Sequence, residues 1–113
     1  MPVISLNGDN FDEFTNSPVP VLVDFYAPWC GSCRAVAPVV ERLGSDPDGF
    51  GIAKVNIDEE AELARRFGVQ SIPTFAVFRN GEIADRRVGV LHERDIIELL
   101  RRADGPQAAG RSM

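Results

Sequence analysis

Val23-Asp24-Phe25-Tyr26-Ala27-Pro28-Trp29-Cys30-Gly31-Ser32-Cys33-Arg34 runs from an apolar strand pattern into a helical one and contains both cysteines of the chain. The placement decides how the pair is read. A helix N-terminus presents N–H groups without intrahelical partners and a partial positive charge, and both favour a thiolate over a thiol. A thiolate at an exposed turn is what thiol–disulfide exchange requires of its attacking group. Cys30 lies nearer the helix end and is expected to be the more exposed nucleophile; Cys33, one turn inside, is expected to be the resolving thiol. Two cysteines this close are also ready to close a disulfide on each other. The segment reads as a redox site.

Other readings of the pair are weaker. A disulfide closing so short a loop removes little unfolded-state entropy and makes a poor staple. A structural zinc site takes four ligands, whereas the chain has two cysteines and one histidine, His92, far away in sequence. A metal or iron–sulfur site shared between two chains needs a partner the sequence does not show. His92 reads most simply as a surface residue at a helix start.

Outward from this segment, the apolar run 19–26 has the continuous pattern of a strand buried on both faces. Val36, Val39, Val40 and Leu43 then mark one face of a helix, with Pro38 expected to kink it. N-terminal to the run, residues 3–6 predict a short strand. Asn7-Gly8 ends it, and Asp9 is placed to cap a short helix carrying Phe11 and Phe14 until Ser17-Pro18 breaks it. C-terminal to the long helix comes a turn over 44–51, then a strand over 52–57. A helix follows, with Asp58, Glu59, Glu60 and Glu62 at its start and Arg65 and Arg66 at its end. That charge order complements the helix dipole, so a solvated helix face accounts for it. Gly68 is its C-cap. After Ile72-Pro73 come a strand over 74–78, an Asn80-Gly81 hairpin turn and a partner strand over 82–88. A last helix over 92–102 turns Ile96, Ile97 and Leu100 inward. The domain is expected to span 1–103, and the small, polar tail 104–113 to be disordered. The order β-α-β-α-β-α-β-β-α combines crossover units with one antiparallel hairpin, giving a mixed α/β sheet with helices on both faces. Right-handed crossovers put the long apolar strand near the middle and Cys30 at its C-terminal end.

Composition bounds the partners. The chain has 113 residues, 44% hydrophobic and 26% charged, as expected of one ordinary globular domain. A net charge of −5 argues against nucleic acid as a partner. The first residues show no secretory signal and no apolar stretch is long enough to span a bilayer, so a soluble cytoplasmic protein is expected. In a reducing cytosol a cysteine pair is more often catalytic than structural. Two further residues stand out. Asp24 occupies the middle of an apolar strand, where a carboxylate is costly unless neutralised or paired. It is either satisfied by local hydrogen bonds or held there for function, with a raised pKa as the functional signature. Lys54 is the single lysine among twelve basic residues, and lysine alone among them shifts its pKa readily when buried.

The segments 24–33, Pro38, 53–58, Ile72-Pro73-Thr74, Asn80-Gly81 and Val88-Gly89, with their spacings, resemble the thioredoxin family over residues 3–103. The resemblance implies a five-stranded mixed sheet flanked by four helices. It implies a protein-disulfide reductase in which Cys30 attacks a substrate disulfide and Cys33 releases the mixed disulfide. Asp24 would then accept the Cys33 proton through water, modulated by Lys54. It further implies a substrate groove lined by Trp29, Gly31, Ser32, Ile72, Pro73 and Gly89, with Ile72-Pro73 cis and the Ile72 backbone free to pair with an extended segment. No prosthetic group is implied. Reducing equivalents would come from NADPH through a thioredoxin reductase, and the protein would act as a monomer on disulfide-containing proteins. The chain departs from the family at Ser32, where proline is usual. There a backbone N–H and a hydroxyl close to the Cys30 sulfur would favour its thiolate and raise the redox potential. Two alternatives stay open: a disulfide oxidant or isomerase, and a non-catalytic partner subunit that merely retains the cysteines.

Overall fold

The computed structural model describes residues 3–106, and its organisation follows from the burial of one strand. β2 (Val21–Tyr26) is buried through its first five residues and lies third of five in the sheet order β1-β3-β2-β4-β5. β1 (Ile4–Ser5) and β2 both run parallel to β3 (Gly51–Asn56). β4 (Thr74–Arg79) is antiparallel to β2, and β5 (Glu82–Val88) to β4. Parallel neighbours require crossovers. α1 (Phe11–Thr15) carries the chain from β1 to β2 and α2 (Gly31–Gly44) from β2 to β3, while α3 (Ala61–Arg66) leads from β3 to the antiparallel β4 and α4 (Glu93–Ala103) follows β5. The five strands and four helices form the α/β thioredoxin fold.

Alternation along β2 divides the core in two, because successive side chains point to opposite faces. Val21, Val23 and Phe25 pack with Phe11, Leu63 and Phe78 under α1 and α3. Leu22 packs on the other face with Val36, Val40, Phe75, Val77, Ile96 and Leu100, under α2 and α4. Asp24 shares the parity of Leu22 and therefore points towards α2.

Several local expectations are corrected. β2 starts at Val21 rather than residue 19, because Pro18 and Pro20 flank a Val19 that is 51% exposed and bring no N–H to a ladder. The N-cap position of α1 is Asn10, not Asp9. The side chain of Asn7 organises the turn, accepting from the Asp9 and Asn10 N–H groups at 2.8 and 3.1 Å. Asp58 and Glu59 precede α3, in a turn where Asn56 accepts the N–H groups of Asp58, Glu59 and Glu60. Of the four acidic residues only Glu62 lies in the helix's first turn. In α4, Leu99 rather than Ile97 joins Ile96 and Leu100 inside; Ile97 is only partly buried. The hairpin turn is as expected, with Asn80 and Gly81 both in the left-handed region at φ 55° and 83°. Arg79 ties the end of α4 to the sheet by donating to the Ala103 and Gly105 carbonyls at 2.7 and 3.3 Å. The remainder of the tail expected to be disordered, residues 107–113, lies outside the described residues.

Candidate active site

Strand direction assembles the site. The C-terminal ends of β2, β3 and β5 and the N-terminal end of β4 lie on one edge of the sheet, as the registers Tyr26↔Asn56, Phe25↔Thr74 and Thr74↔Val88 require. Loops leaving those ends therefore meet. They carry Trp29 and Cys30, Asp58, Ile72-Pro73, and Gly89.

Cys30 is the N-cap of α2, in extended backbone with φ −84° and ψ 115°, and its Sγ accepts the Cys33 N–H at 3.2 Å. A helix N-terminus leaves such donors without intrahelical partners, and hydrogen bonds strengthen when the acceptor carries charge. The donor here is Cys33; among the described residues no hydrogen bond from exposed Ser32 reaches the Cys30 sulfur. The expectation for Ser32 is corrected accordingly. Both cysteines are free thiols, and Cys30 also faces the Ile72 carbonyl at 3.9 Å. Cys30 is the more exposed of the two, yet at 8% against 4% both are buried, so the open turn expected around Cys30 is in fact a packed one. Ala27, Tyr26, Ile57 and Ile72 close around the pair.

The two thiols differ in their surroundings. Burial is the first cause pushing Cys33 up to about 12. Its hydrogen bond with Cys30 and the charges of Cys30 and Asp24 act in the same direction, while a backbone hydrogen bond from Ala27 opposes them. Asp24 is 5% exposed, and its Oδ1 has no hydrogen-bond partner among the described residues. Burial raises its carboxyl to about 7, against a lowering by Lys54, which stands directly across the β2–β3 ladder. The local hydrogen bonds that would make Asp24 merely structural are thus missing at one oxygen. The Lys54 ammonium is not ion-paired with Asp24. It lies 3.9 Å from Glu41 Oε2 and 5.6 Å from the centre of the Tyr26 ring.

Around the thiols, the Ile72-Pro73 peptide is cis, and the Pro73 carbonyl accepts the Gly89 N–H at 2.8 Å. Gly89 adopts φ 101°, which L side chains rarely take, and a Cβ there would face open space. A Cβ at Gly31 would likewise meet nothing. Trp29 is 66% exposed and held by its indole N–H, which donates to Asp58 Oδ2 at 2.9 Å. Of these residues Ile72 contacts Cys30, Gly89 is tied to the cis-proline loop through Pro73, and Trp29 precedes Cys30 in the chain. Sequence reasoning missed Asp58, which it had assigned to a helix start, and Arg34, whose Nη1 donates to the Pro28 carbonyl at 2.8 Å across the loop. It also missed Glu41. That residue lies eight positions after Cys33, a spacing that returns to the same helix face, so the signal was present. Among the described residues no group of three or more His, Cys, Asp and Glu side chains is placed to hold a metal ion, and no helix is long and apolar enough to cross a membrane.

The family model for thioredoxin matches residues 2–102. The chain belongs to the thioredoxin family. It is 44% identical to a thioredoxin of Staphylococcus haemolyticus over 101 residues, covering 88% of this chain and 96% of that one. Thioredoxin 1 of a Nostoc species is 44% identical over 89 residues, covering 78% and 83%. Among solved structures, a mutant thioredoxin from Halobacterium salinarum NRC-1 superposes with a TM-score of 0.83 at 34% identity, covering 92% of each chain. The thioredoxin of Malassezia sympodialis gives 0.81 at 31%, covering 93% of this chain and 96% of that one. Membership of the thioredoxin family makes the cysteine pair redox-active and the protein a thiol–disulfide oxidoreductase.

Proposed function

We propose that the protein reduces disulfides in other proteins, with Cys30 as nucleophile and Cys33 as resolving thiol. The observation that carries this reading is the asymmetry of the pair. Cys30 Sγ sits on the helix N-terminus with a backbone donor aimed at it, whereas Cys33 is pushed up to about 12 beside a buried carboxyl at about 7. The Cys30 thiolate attacks one sulfur of the substrate disulfide, forming a mixed disulfide and expelling the other sulfur as a thiolate. Cys33 then gives its proton to Asp24, directly or through one water, and attacks Cys30 Sγ. The second substrate sulfur leaves as a thiolate. Two electrons have passed to the substrate, and Cys30 and Cys33 are joined as a disulfide.

Trp29, Gly31, Ser32, Ile72, Pro73 and Gly89 form the docking surface in this reading. The Ile72 backbone offers itself to an extended segment, and Gly31 and Gly89 leave room for its main chain. The dithiol is restored by a thioredoxin reductase drawing on NADPH, and the protein acts as a cytoplasmic monomer. Reduction of insulin disulfides, followed with single variants, tests the assignment. Cys33→Ser should accumulate mixed disulfides with substrate, and Cys30→Ser should accumulate few. Equal trapping by both variants, or by neither, would contradict the roles given to the two thiols.

A further inference from the structure

Resting on the reading of Asp24 as proton acceptor, we propose that Glu41 is a positioning residue: it holds the Lys54 ammonium away from Asp24 and so sets how readily that carboxyl ionises. Lys54 has two anionic neighbours to choose between. Asp24 stands in register with it across the β2–β3 ladder but is buried; Glu41, on α2, keeps 56% of its side chain exposed. The ammonium lies 3.9 Å from Glu41 Oε2, above the Tyr26 ring, and leaves Asp24 Oδ1 without any partner. An exposed pair at this distance contributes little to stability. Its consequence is the position in which it leaves a charge.

The groups around the carboxyl are few. α2 contributes Cys33 and, beyond Lys54, Glu41; β2 contributes Tyr26 and β3 Lys54, while β4 opposes Asp24 with Phe75. Among the described residues Lys54 is therefore the one cation acting on Asp24, and the attraction between them grows as their separation shrinks. Two effects of Glu41 share a sign. Its negative charge disfavours a second anion nearby, and its pull on Lys54 weakens the attraction that favours ionised Asp24. Removing the charge of Glu41 reverses both, and Lys54 becomes free to turn inward. Ionised Asp24 then persists to lower pH.

The test is a titration of the Asp24 carboxyl carbon by NMR in the disulfide form, where neither cysteine carries a proton. Glu41→Gln should move the midpoint to lower pH, raising the ionised share at pH 6 by about threefold. Glu41→Asp should restore part of the parent midpoint. With Lys54→Met as background, Glu41→Gln should move the midpoint clearly less, because only the direct repulsion remains once the ammonium is gone. An unmoved midpoint in Glu41→Gln overturns the proposal, and so does an equal movement with and without Lys54. The pH profile of insulin reduction reports separately on the reading beneath. If the midpoint falls while the acid limb of turnover stays in place, Glu41 keeps its role and Asp24 loses its own as proton acceptor.

Discussion

The two faces of β2 are built for different tasks. Under α1 and α3 the core is aromatic and uncharged: the Phe11, Phe67 and Phe78 rings contact one another at 5.1 to 5.4 Å between centroids. Under α2 and α4 the packing is mainly aliphatic around a single fully buried ring, Phe75, and the residue after Leu22 on that face is Asp24. Both faces belong to the same strand, so parity along β2 alone decides which task a residue serves. One face stabilises; the other holds a proton next to the helix that carries both thiols. A buried carboxyl is tolerable there because the aromatic face supplies stability that its burial removes.

The strongest way to break this contrast is to damage the apolar face. Phe78→Ala removes a fully buried ring that touches Phe11 and Phe67, and should cost about 3–5 kcal/mol in urea unfolding. Among the described residues nothing ionisable is buried on that side, so the loss should be the same at pH 5 and pH 8. A loss that changes with pH would mean that the faces are not separate.

Asp24→Asn tests the other face. Between the carboxyl's unfolded value near 3.8 and its folded value of about 7, the native state keeps a proton that the unfolded chain has released. Stability conferred on the parent therefore falls as pH rises through that window. Held over some three pH units at about 1.36 kcal/mol each, the penalty reaches about 4 kcal/mol. The asparagine variant lacks it, so its stability should gain on the parent's by about that much from pH 4 to pH 8, whatever the amide itself costs. A constant gap across this range would show that Asp24 titrates as an exposed carboxylate. The same variant should slow release of the mixed disulfide at pH 7 while leaving its formation unchanged.

Much of this was legible in the sequence. The buried strand, the cysteines at a helix start, a carboxylate at Asp24 in an apolar run and Asn80-Gly81 each carry a local pattern, and the central place of the apolar strand follows from crossover handedness. The rest depends on register. Asp58 meets Trp29 only because β2 and β3 end together, so a charge that reads as helix-dipole chemistry becomes an acceptor for an indole 29 residues away. Lys54 faces Asp24 for the same reason. The isomer at Ile72-Pro73 is undecided locally because the intrinsic preference is only about 0.5–1 kcal/mol.

Smaller effects are expected at the mouth of the chemical face. Asp58→Ala frees the indole of an exposed Trp29, so stability should fall by no more than about 1 kcal/mol. The fluorescence anisotropy of this single tryptophan should drop, and unchanged anisotropy would mean that packing rather than Asp58 holds the ring.

The smallest effect concerns Ser32. The donor on Cys30 Sγ is the Cys33 N–H, which proline at position 32 would leave in place. What proline removes is one further N–H at the start of α2, where the orphan donors of a helix carry its positive end. Charge interactions with that end are worth about 0.3–1 kcal/mol, and for a two-electron couple about 1.4 kcal/mol corresponds to about 30 mV. A thiolate on Cys30 can form only in the dithiol and not in the disulfide, so losing the donor weakens the reduced state. Ser32→Pro should therefore lower the redox potential by about 6–20 mV on equilibration against a glutathione buffer. A fall well beyond that range would restore a direct Ser32 contact with the sulfur, and a rise would mean that the helix N-terminus does not govern Cys30 in the sense argued.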